Sequence, residues 1–334
     1  MTSLVFSKLL AIFIAVAIGW FVGRMRWLGQ SADAGTEGND PARVLSNVAF
    51  YIFVPSLLFR TTARLDLASL PWLTLAAFFM PVLLLLLLVY GLQRWRRQAS
   101  FAPGGPATPS VQAITVTFGN TLQIGVPLAA GIFGEAGLAI HVTVISLHAL
   151  TLLTVLTLLV ELDLARARPD AGSLTRTLTT TVRNTVIHPV VLPVLAGLLL
   201  NSIGVALPTV LDEVLQMLGT AVVPLCLTLI GMSLAYYGWP KAWRGVLGLA
   251  ALKLLVLPAL VLAVAHWGFG LSGIPLSVIV MAAALPTGSN ALIFAQRYRT
   301  QEGETTAAIV ASTLLFVLTA PLWLALLSRL GSAA

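Results

Sequence analysis

Ten stretches of about twenty mostly apolar residues follow one another along this chain, and that recurrence limits its fold more than any other feature. They cover 4–22, 44–62, 70–92, 111–133, 137–159, 186–203, 214–236, 243–267, 274–296 and 306–327. A run of this length spans a hydrocarbon layer about 30 Å thick as a helix, because a helix bonds every backbone group within itself. The sequence therefore predicts an all-α polytopic membrane protein with ten transmembrane helices. Composition agrees: 58% of the residues are hydrophobic and 9% are charged, too little polar surface for a water-soluble body of 334 residues. The first run has no small-residue cleavage site behind it, so it reads as a retained helix and not a removed signal peptide.

The few charges are placed unevenly. Fourteen Lys and Arg residues fall in the loops after the odd-numbered spans, against four on the other side, namely Lys8, Arg60, Arg64 and Arg329. Lys and Arg accumulate on the cytoplasmic side of a membrane, which puts the odd loops in the cytoplasm and both termini outside. The formal net charge of +7 is thus a topology signal spread over short loops, and no nucleic-acid partner is expected. The single cysteine, Cys226, lies in an apolar run and reads as an inert buried thiol.

The chain divides near its middle. A polar, basic connector at 166–183 separates a first half, 1–165, from a second, 184–334, each with five spans. Pro55 and Pro224 stand 169 residues apart, as do Pro71 and Pro240, and Glu135 and Glu304. The same offset lays Gly119-Asn120-Thr121 on Gly288-Ser289-Asn290. Five helices per repeat is an odd number, so the second repeat enters the membrane inverted, a plan that secondary transporters share.

Two corresponding spans carry the polar residues. The fourth contains Gly119, Asn120, Thr121, Gln123, Gly125 and Pro127, and the ninth contains Pro286, Thr287, Gly288, Ser289 and Asn290. Gly and Pro interrupt a helix, while amides and hydroxyls offer donors and acceptors. Half-helix ends expose N–H groups that favour an anion, so Asn120, Thr121, Gln123, Thr287, Ser289 and Asn290 are the expected substrate contacts. Gly119, Pro127, Pro286 and Gly288 are the expected helix breaks. The alternative for these residues is close helix packing through small side chains.

Other polar positions are candidates of a second order. Lys253 is a full charge inside the eighth span, either a counter-charge or coupling residue, or a side chain that snorkels to an interface. Glu135 follows Gly134 at a helix start, where a carboxylate meets the helix dipole, and it is a second candidate for proton transfer. His148 and His188 lie in spans and could titrate, and Asn47 and Tyr51 precede Pro55 on the second span. No His spacing suits a metal, and the chain has no G-x-S-x-G, H-E-x-x-H or Walker A sequence. An enzyme, a cofactor and ATP-driven transport are therefore not expected.

Four segments carry a family resemblance: LSNVAFYIFVPSLLFRT, GNTLQIGVPLAAGIFGEAGLA, LKLLVLPAL and ALPTGSNALIFAQRY. They resemble the auxin efflux carrier family, in its short bacterial branch with malonate and malate carriers. The resemblance implies two inverted five-helix repeats with broken crossover helices 4 and 9. Helices 1, 2, 6 and 7 would be a scaffold, and 3–5 with 8–10 an elevator-like transport domain, in a homodimer of the bacterial inner membrane. The family's crossover asparagine falls on Asn120 and its crossover proline on Pro286. Plant members have a proline where this chain has Gly119, and the long cytoplasmic domain of many of them is missing. The expected function is proton-coupled secondary transport of a small organic anion. A passive facilitator and a non-transporting membrane sensor are the alternatives.

Overall fold

The computed structural model describes residues 2–29, 41–64, 70–98, 105–167, 183, 187, 189, 191–237 and 243–331. The connector 166–183 and the loop 29–41 lie almost wholly outside these residues, as do His188, Pro240 and Lys241. Among the described residues, each of the ten apolar runs contains helix. The elements are α1 (Thr2–Arg24), α2 (Pro41–Ala63), α3 (Trp72–Gln98), α4 (Thr108–Thr117) and α5 (Val126–Arg166). The second half holds α6 (Val191–Ser202), α7 (Thr209–Tyr237), α8 (Trp243–Gly268), α9 (Gly273–Ala284), α10 (Asn290–Arg297) and α11 (Glu302–Gly331). Among the described residues, six helices are long and apolar enough to cross a membrane.

The fourth and ninth runs are the interrupted ones. The fourth consists of α4, a break at 118–120, a wide helical turn over Thr121–Gly125 and the start of α5. Gly134 then splits α5 at φ 65° and ψ −160°, a conformation open to glycine almost alone, so 126–133 ends the fourth run and 135–166 is the fifth. The ninth run is α9, a break at 285–289, and α10.

Packing sorts the helices into two groups. α1 runs along α7, and α2 packs on α6 and α7. The α1–α7 seam is close: a Cβ on Gly231 would collide with the Val16 carbonyl oxygen, and one on Gly19 with that of Thr228. Small residues let helix backbones approach this far in a membrane, where dispersion replaces the hydrophobic effect as the attraction between helices. The second group gathers α3, α4, α8, α9 and α11 with the long α5. Its proline kinks are satisfied from neighbouring helices. Pro258 has no N–H for the Leu254 carbonyl one turn earlier, and Trp323 of α11 donates its Nε1–H to that oxygen at 2.8 Å.

Ion pairs tie helix ends together. Asp212 at the start of α7 receives Arg60 at 2.8 Å and Arg64 at 2.9 Å from the end of α2. Arg43 at the start of α2 reaches Glu302 of α11 at 2.9 Å. Asp163 of α5 is paired with Arg94 and accepts the Tyr90 hydroxyl of α3 at 2.9 Å.

Candidate functional site

The two breaks meet. Gly119 and Thr287 form an antiparallel bridge, closed by Asn120 N–H to the Pro286 carbonyl and Gly288 N–H to the Phe118 carbonyl, both at 2.8 Å. The bridge sets Gly119 one residue away from its partner at the 169-residue offset, Gly288. A crossing this tight needs glycine on one side: a Cβ on Gly288 would lie 2.8 Å from the Gly119 carbonyl oxygen. Gly119 is under no such constraint, since its Cβ would meet nothing nearer than 3.5 Å.

Interrupting two helices strands their last carbonyls, which then need donors from elsewhere in a dry interior. Several are met by side chains. In α4, the Thr115 carbonyl accepts the Thr287 hydroxyl at 2.9 Å and the Thr117 carbonyl bonds the His148 ring. Past the break, the Thr121 carbonyl bonds His141 Nε2 at 3.0 Å. At the end of α9, Lys253 Nζ donates to the Ala283 carbonyl at 2.6 Å. Lys253 has 0% of its surface exposed, so it does not snorkel to an interface; its ammonium sits at the negative end of a half-helix.

A cavity of about 240 Å³ opens on one side of the crossing. Its polar wall is Asn120, Thr121, Ser146, His148, Ser289 and Asn290, with Gly119 and Gly288 at the crossing itself. Leu57, Leu58 and Thr61 of α2 and Val222 and Val223 of α7 face it from the other helix group. Among the described residues, no hydrogen bond is made by the side-chain amides of Asn120 and Asn290. Ser289 contacts the Cys226 thiol, which is buried in α7. The half-helix starts, with the unbonded amides of Asn120 and Asn290, thus border the cavity, while carbonyls at the half-helix ends accept bonds from protein side chains.

The expected site residues therefore separate. Asn120, Thr121, Ser289 and Asn290 line the cavity together with Gly119 and Gly288. Thr287 does not: it is fully buried, its hydroxyl bonds Thr115, and its N–H bonds the Ser312 hydroxyl at 3.1 Å. Pro286 is buried at the crossing and supplies a carbonyl to it. Gln123 and Pro127 lie on helical backbone, but their side chains are outside the described residues. Glu135 is exposed beside Gly134 and is not part of the cavity wall. Asn47 and Tyr51 are exposed and do not line it either.

Sequence reasoning missed the part of His141. It stands seven residues, about two turns, before His148, so the two rings share a face of α5, and a paired-histidine stripe beside a broken span is the signal that could have found them. Among the described residues, no group of His, Cys, Asp and Glu is placed to hold a metal ion.

A helical, multi-pass membrane protein whose two interrupted helices cross beside a polar cavity has the makings of a transporter. The comparisons agree. The family model described as "Membrane transport protein" matches residues 4–324, and the chain belongs to that family, the auxin efflux carriers that its sequence resembles. A curated relative from Methanothermobacter thermautotrophicus, an uncharacterized transporter, is 25% identical over 297 residues, covering 86% of this chain and 90% of the relative. The family is one of transport proteins and not of enzymes.

Proposed function

We propose that this protein is a secondary carrier that moves a small organic carboxylate across the bacterial inner membrane, coupled to protons. The observation that carries this reading is the cavity at the crossing. Its unbonded amides, Asn120 and Asn290, sit where two half-helices begin, the ends whose partial charge is positive. Carbonyls at the negative ends are taken up by Lys253, Thr287 and His148, so the groups left for a ligand suit an anion. A volume of about 240 Å³ is below the range typical of drug-sized pockets, which favours a solute of a few carbons.

The carrier consists of ten spans in two inverted five-helix repeats. α1, α2, α6 and α7 form the scaffold, and α3–α5 with α8–α11 form the domain that moves. The cavity lies between the two groups, where a sliding motion would expose it alternately to each side. Its α2 wall, Leu57 to Thr61, belongs to the half of α2 nearer Ala63. At the opposite end Arg43 holds Glu302, and the Arg297 guanidinium lies 5.3 Å over the rings of both Phe50 and Tyr51. With the odd loops cytoplasmic and both termini outside, this is the outward-facing state with its inner end latched. A homodimer in the bilayer is the assembly in keeping with the family resemblance.

The test is uptake of labelled malonate, malate, succinate and benzoate into proteoliposomes, with and without an inward proton gradient, beside Asn120→Ala. Gradient-driven uptake of one of them, lost in the variant, is the expected result. Flux that only follows the solute's own gradient would make the protein a facilitator. No flux of any carboxylate would overturn the reading.

A further inference from the structure

His148 carries a hydrogen-bonding problem that the protein does not solve by itself. The ring is 2% exposed, packs on Phe118 at 4.5 Å between centroids, and forms part of the cavity wall. One ring nitrogen bonds the Thr117 carbonyl, and Nδ1 is buried without a partner among the described residues. A carbonyl can only accept, so the nitrogen facing Thr117 is Nε2 and bears the hydrogen. In the neutral ring Nδ1 is then a bare, buried acceptor in a residue that forms part of the cavity wall. A buried polar atom without a partner is costly and calls for an explanation.

A carboxylate is also acceptor-only, so it cannot pair with Nδ1 as it stands. A proton on Nδ1 turns the ring into a cationic donor and satisfies both partners at once, in a charge-assisted bond. The titratable groups acting on the ring are Lys253 of α8, whose positive charge opposes another beside it, and His141 of its own helix, so the negative charge that would hold a proton on the ring is one that the ligand has to bring. The Lys253 ammonium is committed to the Ala283 carbonyl and His141 Nε2 to Thr121. His148 is the base of the three that lines the cavity and keeps an open nitrogen.

We propose that His148 is the coupling residue: it takes one proton onto Nδ1 as the carboxylate binds, and releases it when the anion leaves. The stoichiometry is one proton per anion. The inference rests on the carrier reading and specifies the group that couples it. Linkage makes the effect reciprocal, since whatever factor the proton adds to anion affinity the anion adds to proton affinity. No bond other than N–H forms or breaks, and the proton comes from and returns to water on either side.

His148→Gln separates coupling from architecture. A glutamine amide can still donate to the Thr117 carbonyl, but it cannot take up a proton. The assay uses proteoliposomes with the membrane potential clamped at zero and labelled malonate, malate, succinate and benzoate as probes. Two quantities are read: counterflow exchange without a gradient, and accumulation against a gradient of one pH unit. At zero membrane potential, one proton per anion allows about tenfold accumulation per pH unit in the native protein, because one unit is a factor of ten in free-energy terms. The expected result is tenfold accumulation lost in His148→Gln, with exchange kept only at saturating anion, its half-saturation concentration raised and no longer dependent on pH. A merely structural role would lower both together. Accumulation by His148→Gln equal to the native protein would overturn the proposal. Loss of exchange in both His148→Gln and His148→Asn even at saturating anion would also overturn it, since the ring would then serve the fold and not the proton. Exchange without accumulation in the native protein overturns the coupling and leaves the carrier standing. Absence of exchange in the native protein overturns both.

Discussion

Gly119 and Gly288 look interchangeable in the sequence, yet the structure assigns them very different tolerances. Adding a methyl at Gly288 places its carbon 2.8 Å from the Gly119 oxygen and 3.0 Å from the Gly119 carbonyl carbon, both backbone atoms that cannot rotate away. The crossing must then open by several tenths of an ångström. It is held by two hydrogen bonds of 2.8 Å, to Pro286 and from Gly288, so that opening weakens both. A buried backbone group left unsatisfied costs about 1–3 kcal/mol, and spoiling one to two of them puts Gly288→Ala at about 2–4 kcal/mol. At Gly119 the added carbon meets the Ala282 oxygen and Lys253 Nζ at 3.5 Å, ordinary contact, so the expected cost is about 1 kcal/mol or less. The protein supplies its own reporter, because its one cysteine, Cys226, is buried and reacts with a thiol dye only when the fold opens. Thermal unfolding of both variants in detergent, read by that reaction, should show a large fall for Gly288→Ala and a small one for Gly119→Ala. Equal falls, or a larger one at Gly119, would refute the reasoning from the crossing geometry.

Further outcomes follow from the same site. Asn120→Ala and Asn290→Ala should each abolish carboxylate uptake and leave the thiol-dye midpoint where it was, because neither amide bonds any other described residue; normal uptake by both would end the crossover-site reading. Lys253→Met strands the Ala283 carbonyl, which costs about 1–3 kcal/mol, but it also removes an ammonium whose burial costs several kcal/mol. Its midpoint should not fall while uptake drops tenfold or more, and a lowered midpoint with uptake intact would show the charge to be structural. Gly231→Ala drives a methyl into the Val16 carbonyl at the α1–α7 seam and should cut the yield of monodisperse protein several-fold, and an unchanged yield would mean that the seam can spread. Glu302→Gln removes the charge that holds Arg43 and should favour the state open at the α2 start, read as faster modification of a cysteine placed at Ser46 in a Cys226→Ser background. An unchanged rate would show that this pair is no latch.

The class of fold was written in the sequence because bilayer thickness is a one-dimensional constraint. A helix that must bridge a fixed distance shows its length as a run of apolar residues, whatever it packs against, and six of the described helices are long and apolar enough to cross a membrane. The two breaks were legible for a related reason. Gly119, Pro286 and Gly288 interrupt hydrogen bonding locally, and the chain comes apart there in both halves. Asn120 and Asn290 were readable too, as polar side chains that a membrane helix carries only at a cost.

What the sequence could not decide was which group answers which. Two broken helices strand several carbonyls, and a donor for each can come from any helix that passes within reach. The fold chose Thr287 for Thr115, His148 for Thr117, His141 for Thr121 and Lys253 for Ala283, so that one expected ligand contact is a brace behind the wall. Nothing in the residue types distinguishes Thr287 from Ser289; only the crossing turns one away from the cavity and the other toward it. Positions along a chain fix the supply of donors and acceptors, since that is a matter of composition and local breaks. Their pairing depends on distances between segments far apart in sequence, and those exist only once the helices have packed.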